Sequence, residues 1–111
     1  MKLGDIIEPL SLDVRTGSSS LGRAVTGVYV SDLLSDVMAN SGEGNVWITL
    51  QTHLNIVAVA GLKNLTGIIV VSGRNVPADV LQKAEAEKVT VMTTQLSAFE
   101  TAGKLYQMLY A

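Results

Sequence analysis

The stretch VWITLQTHLNIVAVAG, residues 46–61, decides the fold. Four of its first five residues are apolar, without alternation, which suits a strand buried on both faces. Its last residues, Asn55 onward, are apolar over a length that a strand does not need, and residues 53–64 read as a helix. Between them stand Gln51, Thr52, His53 and Asn55, a polar turn holding the chain's one histidine. A buried strand handing over through a short turn to a buried helix is half of a βαβ unit.

The same alternation extends in both directions. Downstream, residues 67–71 read as a strand, 77–88 as a polar amphipathic helix opened by Pro77, and 89–93 as a strand. Residues 97–110 form a last helix whose Ser97 and Glu100 have capping-box spacing. Upstream, residues 31–40 place Leu33, Leu34, Val37 and Met38 on one helical face, with Ser31 as cap and Asp32 in the first turn, after a strand at 25–30. Residues 12–15 suit a short strand, 16–22 a loop, and 1–10 a short helix ended by Pro9 and packed as a lid. Strands alternating with helices imply right-handed crossovers. The expected fold is α/β, a three-layer αβα sandwich with a mostly parallel sheet of about five strands and helices on both faces. The hairpin-like segment 12–30 can join at either edge. With no repeat or linker, residues 1–111 read as one module.

Composition narrows the function. Of 111 residues 48% are hydrophobic and 16% charged, which favours doubly buried strands or an apolar dimer surface. The net charge of −2 without a basic run argues against nucleic acid. No apolar stretch approaches the roughly 20 residues of a membrane span, and the acidic N-terminus does not resemble a signal peptide; a cytoplasmic protein is expected. Without cysteine there is no disulfide or thiolate site. One histidine with no carboxylate pair in its turn gives no metal site, and no cofactor is expected. Residues 17–22, GSSSLG, lack the Lys-Ser/Thr ending of a P-loop and precede a strand.

In an open parallel sheet, ligands bind beyond the carboxyl ends of the strands. The residues that fall there are Ser31 and Asp32, then Gln51 to Asn55, then Ser72, Gly73 and Arg74, then Thr94. Helix capping by itself accounts for Ser31, Thr52 and Ser97. A turn accounts for Gly73, and a satisfied structural hydrogen bond is the ordinary role of a lone His53. Arg74 is harder to explain by folding, because an exposed cation beside helix N-termini suits bidentate binding of phosphate or carboxylate. A general base at His53 oriented by Asp32 is the enzymatic alternative. Gly61 and Gly103 lie inside helices, which points to close helix approach in the core or at a dimer seam. Phe99, Leu105, Tyr106, Leu109 and Tyr110 are expected mostly on one side of the last helix, as core or as an oligomer surface.

The blocks VTGVYVSDLLSDVMAN (25–40), NVWITLQTHLNIVAVAGL (45–62), TGIIVVSG (66–73) and LSAFETAGKLYQML (96–109) follow an order that resembles the small stand-alone DRTGG-domain proteins over nearly the whole chain. The resemblance implies an α/β domain related to the N-terminal domain of HPr kinase. Such domains occur fused to phosphotransacetylases and to pyrophosphatases with CBS domains, and are usually regulatory, often dimerising and without catalytic residues. Where many members have an Asp-Arg pair this chain carries Thr52-His53-Leu54-Asn55, and where they have Thr-Gly-Gly it carries Ser72-Gly73-Arg74. The string Asp13-Val14-Arg15-Thr16-Gly17 looks like the motif but lies elsewhere in the order, and is read as coincidence.

The expectation is therefore a non-catalytic module, a homodimer that regulates a partner enzyme. It would sense a small anionic ligand through Thr52, His53, Asn55, Ser72, Gly73 and Arg74, with Ser31, Asp32, Gln51 and Thr94 as secondary candidates. A purely structural docking protein is the alternative, and a small enzyme using His53 and Asp32 the third reading.

Overall fold

Successive side chains of a strand point to opposite faces of its sheet. In the computed structural model of the protein, which describes residues 1–110, each central strand feeds two cores. The strands are β1 (Asp13–Val14), β2 (Gly27–Val30), β3 (Asn45–Thr49), β4 (Gly67–Val70) and β5 (Val91–Thr93). The helices are α1 (Leu34–Asn40), α2 (Asn55–Leu62), α3 (Ala78–Ala86) and α4 (Ala98–Tyr110). Trp47, Ile68, Val70 and Val91 enter one core; Val46, Ile48, Ile69, Val71 and Met92 enter the other. This double burial is why residues 46–48 and 68–71 read as unbroken apolar runs. Ala111, the last residue of the expected module, lies outside the described residues.

The sheet is five-stranded in the order β1-β5-β4-β3-β2, with β2 to β5 parallel and β1 antiparallel to β5. It is the expected mostly parallel three-layer sandwich, with one difference in how the helices are shared out. Each of β2, β3 and β4 is followed by its own spatial neighbour, so the three right-handed crossovers all land on the same face. Val37 of α1, Ile56 and Val57 of α2, and Val80 and Ala84 of α3 fill that core. The opposite face is covered by α4, through Leu105, and by the N-terminal segment. The strand order never reverses among β2 to β5, so the sheet has no switch-point crevice between them.

Residues 12–30 do not form a hairpin; they split between the two edges of the sheet. Between β1 and β2 the chain runs across the amino ends of the parallel strands. The Thr16 hydroxyl donates to the Val89 carbonyl at 2.8 Å and accepts from the Val91 amide at 2.9 Å. Arg23 donates to Leu65 O at 3.3 Å and to Asn64 Oδ1 at 3.0 Å. These bonds hold the crossing down and deliver β2 to the far edge.

The structure corrects three expectations. Only Leu3–Ile6 is helical in the first ten residues, as a 3-10 turn, and it is not a lid: Leu3, Ile6 and Leu10 are fully buried. Each such side chain contributes about 1.5–3 kcal/mol by leaving water, so the segment is core. Gly61 and Gly103 are not points of close helix approach within the chain, since a Cβ at either would meet open space. Finally, α4 has two faces. Leu105 and Thr101 are fully buried and Leu109 partly so, whereas Phe99, Tyr106 and Tyr110 point outward at 87%, 64% and 62% exposure.

Candidate functional site

Because β2 to β5 are parallel, their carboxyl ends share one edge, and antiparallel β1 brings its amino end there too. Asp13 pairs with Thr93 and Val14 with Met92. From one side to the other the edge therefore presents Ser11 to Asp13, Thr94 and Gln95, Ser72 to Arg74, Leu50 to His53, and Ser31 and Asp32. The predicted residues share this edge but do not make one site. They fall into three groups.

The first group surrounds Asp32, which lies ahead of α1 and not in its first turn. Its Oδ1 accepts from the Thr49 hydroxyl at 2.8 Å and from the Leu50 amide at 2.7 Å, tying off the end of β3. Gln51 Nε2 donates to the Asp32 carbonyl at 3.0 Å. Ser31 Oγ accepts from the Leu33 amide at 3.1 Å, and the Ser31 carbonyl accepts from the Trp47 indole at 2.8 Å. These bonds close a loop; they leave little to offer a ligand. Further along β2 the Tyr29 hydroxyl donates to Asp36 at 2.8 Å, which holds the Asp36 carboxyl below its usual range and the Tyr29 phenol above its own.

The second group is the turn into α2. His53 Nδ1 accepts from the Asn55 amide at 3.1 Å, so the imidazole takes the capping role expected of Thr52. An accepting Nδ1 leaves only Nε2 to face solvent. Among the described residues His53 makes no hydrogen bond to Asp32, whose carboxylate is already engaged. The proposed base and orienter are not brought together, and that enzymatic reading loses its geometry.

The third group is the one with a cavity. Val71 to Arg74 make a tight turn with Ser72 at φ 62° and Gly73 at φ 68°, closed by the Arg74 amide donating to Val71 O at 3.4 Å. Two left-handed residues in succession favour a glycine, and here a Cβ on Gly73 would stand 2.5 Å from Gln95 Oε1. The turn is pinned to the strand beside it by Ser72 N to Leu96 O at 2.8 Å and Gly73 N to Thr94 O at 2.9 Å. The Thr94 hydroxyl is occupied by Leu10 O at 2.9 Å, so it holds the wall and does not reach outward. The resulting cavity of about 230 Å³ is lined by Gly73, Arg74 and Thr94 together with Ser11, Asp13, Arg15, Asn75, Thr93 and Gln95.

Two arginines, Arg15 and Arg74, line this cavity. Arg74 makes one long bond, Nη1 to Leu50 O at 3.4 Å, and Arg15 has only a distant ion pair, Nε to Asp13 Oδ2 at 3.9 Å. Most of their ten N–H donors are uncommitted. The arrangement suits an anion held bidentately, with hydroxyl and amide groups around it for further hydrogen bonds. Thr52, His53 and Asn55 do not line this cavity. Among the described residues no group of three His, Cys, Asp or Glu side chains is placed to hold a metal ion.

The sequence alone does not point to Asp13 and Arg15, since the string 13–17 falls outside the order of the resembling blocks. One local signal is present: Asp13 and Arg15 alternate with apolar Val14, which packs toward the core, so both charged residues share the opposite face of the strand. Their distance from Arg74 in sequence conceals the shared cavity.

No protein-family model matches the chain, and no curated protein does either. Among the similar solved structures are the CBS and DRTGG domains of the regulatory region of Clostridium perfringens pyrophosphatase, complexed with activator, diadenosine tetraphosphate. The TM-score is 0.74 at 20% identity, over 96% of this chain and 46% of that one. At that identity the likeness is one of fold, and it supports the DRTGG-like α/β domain that the sequence blocks implied.

Proposed function

We propose that residues 1–111 act as one non-catalytic, DRTGG-like regulatory module that binds a small anionic ligand at the end of the sheet, pairs with a second copy and so alters a partner enzyme. One observation carries the ligand: the cavity that Arg15 and Arg74 both line, with most of their donors uncommitted. The similar pyrophosphatase region holds a phosphate-rich activator, which supports the same ligand class here. The site is redrawn from the sequence expectation, keeping Gly73 and Arg74, adding Arg15, and leaving His53 and Asp32 to shape the loops.

A second copy fits the outer face of α4. Phe99, Gly103, Tyr106 and Tyr110 recur at spacings of four, three and four and form one stripe. Val30, 51% exposed on edge strand β2, and Ala102 border the tyrosines. Glu100 and Lys104 flank the stripe, so an antiparallel copy sets each glutamate opposite the lysine of the other, as a two-fold axis requires.

Thermal shift with inorganic phosphate, pyrophosphate and adenosine monophosphate tests the ligand. At a hundredfold excess over its dissociation constant, a bound anion adds about 2.7 kcal/mol of stability. Arg74→Ala is expected to weaken binding about ten- to a hundredfold, the loss of one charge-assisted contact. If none of the three stabilises the protein, the sensing role is refuted and the module is a docking protein.

A further inference from the structure

We infer that the ligand of this site is a nucleoside monophosphate or a molecule of that shape, an anion joined to a flat ring that carries an amino group, lying in a groove between β1 and α3. The inference rests on the anion-binding reading above and extends it along the strand. Arg15 lines the polar cavity and also a second one, of about 280 Å³, formed with Val14, Gly17, Leu81, Gln82 and Glu85 among its walls. Each cavity alone is smaller than the ~300 Å³ at which small-molecule sites begin, and joined they exceed it.

The two ends differ in chemistry. The first has the guanidinium groups. The second has an apolar wall in Leu81, which packs against the core on the α3 side of the sheet, and it has an acceptor. Glu85 Oε2 takes the Gly17 amide at 2.8 Å, and Glu85 has no ion pair among the described residues. Its second oxygen is thus available to an amino group on a ring. Gly17 itself is closely fitted: it is left-handed at φ 71°, and a Cβ there would strike Thr90.

Arg15 is the partition between the ends. Its side chain is 35% exposed, and its one ion pair is 3.9 Å long, to an Asp13 that is itself 74% exposed. So exposed and long a pair is too weak to fix the side chain. Swinging from Asp13 onto a phosphoryl group, Arg15 opens the groove and binds the ligand in the same movement.

Calorimetric titration of the full chain with adenosine monophosphate, adenosine and inorganic phosphate tests this. The monophosphate is expected to bind at least about tenfold more tightly than phosphate or adenosine. Ser18→Trp, on the exposed rim of the second cavity, should reduce the monophosphate to the affinity of phosphate while leaving phosphate unchanged. Arg15→Ala should weaken both. If phosphate binds and the monophosphate binds no tighter, or if Ser18→Trp leaves the monophosphate unaffected, the groove is refuted and the anion site stands. If neither phosphate nor the monophosphate binds, both readings fall.

Discussion

At the scale of single residues, the polar edge separates into groups that build it and groups left free. Asp32 belongs to the first kind. Its carboxylate is the acceptor for the buried Thr49 hydroxyl and the Leu50 amide, so Asp32→Ala should cost about 1–3 kcal/mol in urea denaturation by leaving both donors unmatched. Asp32→Asn, which keeps one oxygen acceptor, should cost less. Arg74 belongs to the second kind: Arg74→Ala should change stability by less than about 0.5 kcal/mol, as exposed substitutions do, while ligand binding falls. Gly73 lies between them. Gly73→Ala forces an L side chain into a left-handed residue, at about 1–2 kcal/mol, and also displaces the Gln95 side chain that lines the cavity. Sequence supplied Arg74 and Gly73, because an unneeded cation and a turn glycine are visible as residue types. It did not supply Arg15, because bringing Arg15 and Arg74 to one cavity depends on β1 pairing with β5.

At the scale of elements, the start of α4 forms as its sequence indicates, whereas α1 begins three residues later than expected, at Leu34 with Leu33 and not Ser31 at its cap position. The Ser97 and Glu100 capping box forms as its spacing indicates: Ser97 N donates to Glu100 Oε1 and Glu100 N to Ser97 Oγ, both at 3.1 Å. The Ser97 backbone amide, then the Ser97 hydroxyl, hold the Glu100 carboxyl below its ordinary value. A carboxyl lowered on folding stabilises the native state above its unfolded value, and that contribution is lost as the pH falls through the folded value. Glu100→Ala should therefore lower the melting temperature at neutral pH and make progressively less difference on acidification, as thermal melts across a pH series would read. At α2 the cap was expected from Thr52 and comes from His53, since an imidazole two residues ahead reaches the Asn55 amide as well as a hydroxyl does. The apolar positions of α4 read as one group, yet Leu105 and Phe99 lie on faces about 120° apart. Periodicity gives the angle between residues but not which angle meets the sheet.

At the scale of the whole molecule, the exposed stripe on α4 and the open edge of β2 make pairing the testable property. Light scattering at micromolar concentration should give a dimer. Tyr106→Lys with Tyr110→Lys should give a folded monomer, because both residues are exposed in the single chain. A monomeric wild type would refute the pairing. Along its length the sequence by itself determined the α/β class, the parallel run of four strands and the double burial of β3 and β4, because those follow from the local period of apolar residues and from the alternation of strands with helices, which obliges successive strands to run parallel. It left open where residues 12–30 go, and only the tertiary structure sent β1 and β2 to opposite edges. The deciding contacts, Thr16 with Val89 and Val91 and Arg23 with Asn64 and Leu65, join positions more than forty apart in the chain. That placement makes Asp13 and Arg15 one wall of the cavity.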